Sequence, residues 1–516
     1  MNSPRDFDLP HDEWRPGQLE TVKWINRTSG TLIVQAPTGS GKTGVGAALS
    51  KYGIVRSLTH TINLQQQYEK LYDFEPIYGM NNYDCAMLGH GATARECIFS
   101  EAMYQCPVKL SCNYLLRREV VKNSERQSLS YAYFLNSVWT HEHHADFLYC
   151  DEAHLLPQIT RDYCTMEYTP QQLMHLDLPH YPMPMPRSHA ARVLIAAKWL
   201  NKVSLTVKAE YNKLADIPPR KRGRKTVIKM RILFDNISRI DRSVAWATDS
   251  PQHFYASWDN EKFKLVPLTA RLYFKNLFTS NWPHKAILTS ATIGNPETLR
   301  RELGINYYKF RDVPSAFTPE SMPVFSYENA PRLSHSLSSA GWREWAKVVA
   351  DMIKSCDPSW SGLIHVSSAN QAHSLANALA RFGLEDRVYI PQGKGTGEKI
   401  EHWQARKKKV KNTLAISYSF HMGLDGHDDN INIIGKVPFG TLDEFGQAEL
   451  DYDPDIYRHR AALLTEQAAG RIRRGQPEHY EEQGMPMRKF VAIADNNYIQ
   501  LDSEFSSHFK KCIYPM

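Results

Sequence analysis

A short apolar run, Thr31-Leu32-Ile33-Val34, leads directly into Ala36-Pro37-Thr38-Gly39-Ser40-Gly41-Lys42-Thr43. No other stretch of the chain limits the fold as tightly. A strand that ends in a glycine-rich turn and hands over to a helix belongs to a parallel sheet, because each strand must return through a crossover. The chemistry is equally restrictive. Gly39 and Gly41 let backbone N–H groups come close to phosphate, and the helix N-terminus adds partial positive charge. In such a loop, which also contains Thr38 and Ser40, Lys42 reaches the β- and γ-phosphates of a nucleotide and the Thr43 hydroxyl ligates Mg2+.

The same pattern recurs. Arg56 to Thr59 precedes a helix-like Leu64 to Leu71, Asp146 to Cys150 delivers Asp151-Glu152-Ala153-His154, and Ala286 to Leu288 delivers Thr289-Ser290-Ala291-Thr292. Strands alternating with helices predict an α/β sheet covered on both faces. After about 320 the alternation restarts, with Gly362–Val366, Arg387–Ile390, Thr413–Ile416, Ile431–Ile434 and Lys489–Ile493 strand-like, which predicts a second α/β domain. Pro314, Pro319, Pro323 and Pro331 mark the junction. Two stretches break the alternation, 78–120 and 161–265, and read as insertions. The expected division is therefore 1–77, 121–160 and 266–318 for the first domain, and 319–516 for the second.

The acidic box belongs at the C-terminal end of its strand, where open α/β sheets collect ligands. Asp151 is expected to hold Mg2+ through water, and Glu152 to position or activate the attacking water. A chain of 516 residues with 42% hydrophobic and 11% aromatic content is globular rather than disordered. Its net charge of +7 permits a polyanionic partner without requiring one. Met1 to Trp14 lacks the apolar core of a signal peptide, and no run approaches the roughly 20 apolar residues that span a bilayer, so no membrane is expected.

With these residues in place, the chain resembles the superfamily 2 helicases over nearly its whole length. Arg15-Pro16-Gly17-Gln18 looks like the adenine-reading Q motif, with Arg15 and Gln18 as nucleotide contacts. Thr59-His60-Thr61 resembles motif Ia, with Thr59 and Thr61 on strand phosphates. Leu288 to Thr292 resembles motif III, Gly362 to Ser368 motif IV, and Ser417 to Asp425 motif V, with Gly423 and Asp425 toward the nucleotide. Gln467-Ala468-Ala469-Gly470-Arg471-Ile472-Arg473-Arg474 matches motif VI. The resemblance implies two RecA-like domains that complete one ATP site on closing, with Gln467, Arg471 and Arg474 acting from the second. In motif V, Met422 stands where the family carries an acidic residue.

Four cysteines lie between motif Ia and the acidic box. Gly79 to Cys85, and Cys106-Pro107 with Ser111 to Arg117, are similar to the start and end of the iron–sulfur domain in XPD/DinG-type helicases. That family carries a cluster domain before the box and an arch after it, matching 78–120 and 161–265. Cys85, Cys97, Cys106 and Cys112 are spaced x11, x8 and x5. Four thiolates suit a 4Fe–4S cluster, whereas structural zinc favours short Cys-x₂₋₄-Cys pairs. Zinc and free buried cysteines remain the alternatives, and Cys150, Cys164, Cys356 and Cys512 read as core.

The resemblance implies an ATP- and Mg2+-dependent DNA helicase that moves 5′→3′ on single-stranded DNA and opens duplex or R-loop structures. Single strands and duplex junctions are the expected partners of a monomeric motor in the bacterial or phage-infected cytoplasm, at the nucleoid. An RNA or RNA–DNA hybrid helicase and a non-unwinding nucleic-acid-stimulated ATPase are the competing readings. Arg220-Lys221-Arg222-Gly223-Arg224-Lys225 either contacts phosphates or forms a solvated loop, and Arg406 to Lys411 reads as an exposed helix face.

Overall fold

The computed structural model describes residues 3–37, 39–89, 91–97, 106–137, 139–175, 177–181, 186–218, 221–258, 262–279, 285–315, 318–319, 323–334, 336–420, 428–472 and 489–516. In chain order the strands are β1 (Gly30–Gln35), β2 (Val55–Thr59), β3 (Glu75–Ile77), β4 (Arg126–Ser130), β5 (Phe147–Asp151), β6 (Met166–Tyr168), β7 (Phe254–Trp258), β8 (Phe263–Pro267), β9 (Lys285–Ser290) and β10 (Tyr308–Asp312). The second half adds β11 (Val324–Ser326), β12 (Gly362–His365), β13 (Val388–Tyr389), β14 (Leu414–Ser417), β15 (Ile431–Ile434), β16 (Phe490–Ile493) and β17 (Ile513–Pro515).

Two seven-stranded parallel sheets form the body, ordered β10-β1-β9-β5-β2-β4-β3 and β13-β14-β12-β15-β16-β11-β17. The fold is thus α/β with two RecA-like sheets, as the sequence pattern predicts. Every residue of β2 and β5 is buried, as a sheet covered by helices on both faces demands. The order matters for chemistry. β1, β9 and β5 are neighbours, paired in register Val34↔Thr289 and Asp151↔Thr289. The phosphate loop, the Thr-Ser-Ala-Thr segment and the acidic box therefore leave the same sheet edge side by side.

Two non-sheet additions flank the first lobe. Among the described residues between β3 and β4, the cysteine stretch carries short 3₁₀ turns at Met80–Asn82, Ala94–Glu96 and Lys109–Ser111, and a bridge between Asp84 and Thr93. It returns to the sheet through the helix Asn113–Lys122. Between β5 and β9, a small antiparallel sheet β6-β8-β7 supports a hairpin of two long helices, His189–Ala215 and Arg224–Asp249. Trp199, Tyr181, Trp258 and Phe263 pack as an aromatic cluster that joins hairpin to sheet. Among the described residues, no helix is long and apolar enough to cross a membrane.

Candidate active site

The phosphate loop is held in shape by the residues that precede it. Gly39 and Gly41 adopt φ of 85° and 80°, the left-handed region that favours glycine. Arg15 Nη1 donates to the Gly39 carbonyl at 2.6 Å, and Gln18 Nε2 donates to the Gly41 carbonyl at 3.0 Å. The Arg15 amide in turn donates to Gln18 Oε1 at 2.7 Å. A Cβ on Gly41 would lie 2.1 Å from Gln18 Nε2. Arg15 and Gln18 therefore brace the loop backbone directly. Lys42 opens the helix Lys42–Ala48, and its ammonium donates to the Ala36 carbonyl at 3.3 Å. Thr43 follows on the first turn, and Ser40 Oγ is buried with no hydrogen-bond partner among the described residues. Thr38 lies outside the described residues.

Asp151 ends β5 and is buried, with 3% of its surface exposed. Tyr68 donates its hydroxyl to Asp151 Oδ2 at 3.1 Å, and the Glu152 amide donates to Oδ1 at 2.9 Å. Burial, then the neighbouring Glu152 charge, raises the Asp151 carboxyl above its ordinary range. Glu152 goes the other way. Burial alone would raise it, but hydrogen bonding from His154, the Lys42 charge and Ser290 hold it low and ionised. Glu152 sits at φ 53°, a left-handed conformation that turns its side chain from the strand toward Ser290.

The box is linked to the second lobe through His154. Gln467 Nε2 lies 2.6 Å from His154 Nε2 and 3.3 Å from Thr292 Oγ1. An amide nitrogen only donates, so the ring Nε2 accepts and the imidazole hydrogen sits on Nδ1. That nitrogen is 2.8 Å from Ser290 Oγ, whose hydroxyl donates to Glu152 Oε2 at 3.2 Å. A continuous relay thus runs from motif VI through His154 and Ser290 to Glu152. His154, Ser290, Thr292 and Tyr68 join this hydrogen-bonded network although none is among the site residues expected from the sequence. The signal for His154 was its place in the box. A tyrosine at helical spacing, like Tyr68, reads as core.

Arg471 lies in the turn Gly470–Ile472, directly after the helix Pro454–Ala469 that carries Gln467. Arg474, Met422, Gly423 and Asp425 fall outside the described residues. Thr59 is buried and donates its hydroxyl to the Thr61 carbonyl at 3.3 Å, so only Thr61 of the pair is exposed, where it caps the helix Ile62–Tyr72.

Cys85, Cys97, Cys106 and Cys112 all line one cavity of about 370 Å³, together with Arg118 and Lys122. Cys112 is also the N-cap of the helix Asn113–Lys122. No three described His, Cys, Asp or Glu side chains are grouped to hold a single metal ion. Cys150, Cys164, Cys356 and Cys512 are buried in the packing. Arg231 of the hairpin closes the cysteine cavity and also lines a second cavity of about 380 Å³ with Arg239, Arg242, His141 and Phe234. The basic run at the hairpin turn differs from this. Arg222 folds back onto the Ile217 and Ala215 carbonyls, and Arg220 lies outside the described residues.

A nucleotide-loop sheet, a second RecA-like sheet and two insertions make up the architecture. Solved structures share it from end to end. An XPD helicase structure superimposes with a TM-score of 0.59 at 14% identity, covering 97% of this chain and 98% of its own. An XPD from S. tokodaii gives 0.58 at 13%, covering 97% and 99%. An apo XPD structure gives 0.54 at 13%, again covering 97% and 99%. At these identities the likeness establishes the fold. No protein-family model matches the sequence, and no curated protein matches it.

Proposed function

We propose that the chain is an ATP- and Mg2+-dependent DNA helicase of the XPD/DinG type, translocating 5′→3′ on single-stranded DNA. The observation that carries this reading is the contact from Gln467 to His154 and Thr292, which ties motif VI of one lobe to the acidic box Asp151 to His154 (motif II) and to motif III of the other. A nucleotide held by Lys42 at the first lobe is then sensed by the second.

Thr43 and the buried Asp151 suit a hard divalent cation, and Mg2+ bound there would neutralise charge on the β- and γ-phosphates. Ser40 Oγ, buried in the loop with no partner among the described residues, is a donor placed for phosphate oxygen. The ionised Glu152 takes a proton from the attacking water as its oxygen bonds to the γ-phosphorus and the bond to the ADP oxygen breaks. The Ser290–His154 relay keeps Glu152 oriented. Arg471 and Arg474 are proposed to stabilise the leaving phosphoryl group when the lobes close.

The four cysteines suit a 4Fe–4S cluster better than zinc. Their shared cavity is larger than one ion needs, and four thiolates beside Arg118 and Lys122 fit an iron–sulfur group. For the strand, the arginine face of the second hairpin helix with Phe234 and His141 offers phosphate neutralisation beside stacking rings. Unwinding of 5′-tailed, 3′-tailed and RNA–DNA hybrid substrates tests the assignment. The expected result is opening of the 5′-tailed DNA duplex. Opening only of the RNA–DNA hybrid would establish a hybrid helicase, and ATP turnover with no unwinding would establish a non-unwinding ATPase.

A further inference from the structure

The helix Pro454–Ala469, which carries Gln467 and leads to Arg471, is gripped by the first lobe at three levels. At its start, Arg301 Nη2 lies 3.1 Å from Asp453 Oδ1, the helix cap, and 3.2 Å from Asp455 Oδ2. At its end, Gln467 meets His154. Midway, Arg460, 24% exposed at its side chain, enters a partly buried four-charge cluster. Arg460 Nη2 donates to Glu302 Oε1 at 2.5 Å and its Nε at 3.2 Å, while its Nη1 pairs with Glu449 Oε1. Arg161 Nη1 pairs with that same Glu449 oxygen, and Arg161 Nη2 donates to Gln158 Oε1 at 2.6 Å. Glu302 is 1% exposed at its side chain and Arg161 6%.

The origins of these four residues give the cluster its meaning. Arg161 lies on the helix Leu156–Cys164 that follows the acidic box, and Glu302 on the helix Pro296–Leu303 that follows motif III. Glu449 and Arg460 belong to the second lobe, with Arg460 two helical turns before Gln467 and on the same face. A guanidinium presents its donors in a rigid fork, so one Arg460 fixes two carboxylates at once. Buried ion networks contribute little net stability against apolar replacements, and their best-attested use is fixing register. None of the four touches the phosphate loop.

We propose that Arg161, Glu302, Glu449 and Arg460 form a positioning clamp that sets the motif VI helix, and with it Gln467 and Arg471, against the segments following motifs II and III. The clamp rests on the ATPase reading above for its kinetic consequence, but its geometry is testable without it. In full-length protein, Glu302→Gln and Arg460→Lys are expected to lower kcat for strand-stimulated ATP hydrolysis by about 100-fold, the scale of a small misplacement of catalytic groups. KM for ATP stays within about threefold, because the nucleotide loop is untouched. The double variant costs no more than either single one, as for residues that act as a unit. Additive losses, or kcat within about threefold of the parent, overturn the clamp. Hydrogen exchange of the same ligand-free proteins gives a reading independent of catalysis. The helices Pro454–Ala469 and Pro296–Leu303 lose protection together in either variant. Loss confined to the substituted residue's own helix overturns the clamp, whereas a parent without ATP turnover overturns the helicase assignment and leaves the exchange result to decide.

Discussion

The nucleotide site and the cysteine cavity are built in opposite ways. The first is anchored on three neighbouring parallel strands, β1, β9 and β5, whose ends must converge once the sheet order is set. Its loop is further braced by Arg15 and Gln18. Among the described residues, the second is framed by 3₁₀ turns of three residues each and an isolated bridge, with its four cysteines all partly buried. A site on strand ends has its geometry from the fold. The backbone bonds of the cysteine site run mostly between residues a few positions apart, and a group bound to all four cysteines would add cross-links between its turns.

Substitutions at each site should separate these two modes. Lys42→Ala removes the charge aimed at the γ-phosphate, and ATP turnover should fall by about 10³-fold or more with the melting temperature unchanged. Cys112→Ser should do the reverse. Iron and visible absorbance are lost, the cysteine stretch becomes protease-sensitive and unwinding fails, while strand-stimulated ATP turnover stays measurable. Equal loss of ATP turnover in both variants would break the comparison. Gly41→Ala combines an unfavourable left-handed φ with a contact against Gln18, so KM for ATP should rise about tenfold or more. Tyr68→Phe removes one donor from the buried Asp151 carboxylate, and kcat should drop about tenfold, on the scale of a hydrogen bond to a charged group.

Much of the fold was legible because apolar runs such as Leu32-Ile33-Val34 and Phe147-Leu148 have no other use than a sheet buried on both faces. β4 was not, since its sequence Arg126-Gln127-Ser128-Leu129-Ser130 reads as polar loop. Its Gln127 and Ser128 are nonetheless buried, and Gln127 Oε1 accepts from the equally buried Arg56 at 2.9 Å. Edge strand β10 was missed for another reason, because Lys309 and Phe310 are exposed and carry no alternation. β11 lay hidden in the proline-rich junction, although it pairs with β16 and β17 inside the second sheet. At the site, residues within motifs could be read directly. Tyr68 and the Arg161–Glu449–Arg460–Glu302 cluster could not, because Tyr68 meets Asp151 83 positions away, Arg161 meets Glu449 288 away and Arg460 meets Glu302 158 away. The arginine face at 231, 239 and 242 was likewise obscured by the denser basic run at the hairpin turn, where Arg222 is turned inward.

The central claim is that two lobes close one ATP site in response to a nucleic acid strand. Steady-state ATP hydrolysis, measured with and without single-stranded DNA for the parent and Lys42→Ala, tests it most directly. The account predicts turnover that rises at least about tenfold with the strand and vanishes in the variant. Turnover indifferent to the strand, or surviving the loss of Lys42, would contradict it.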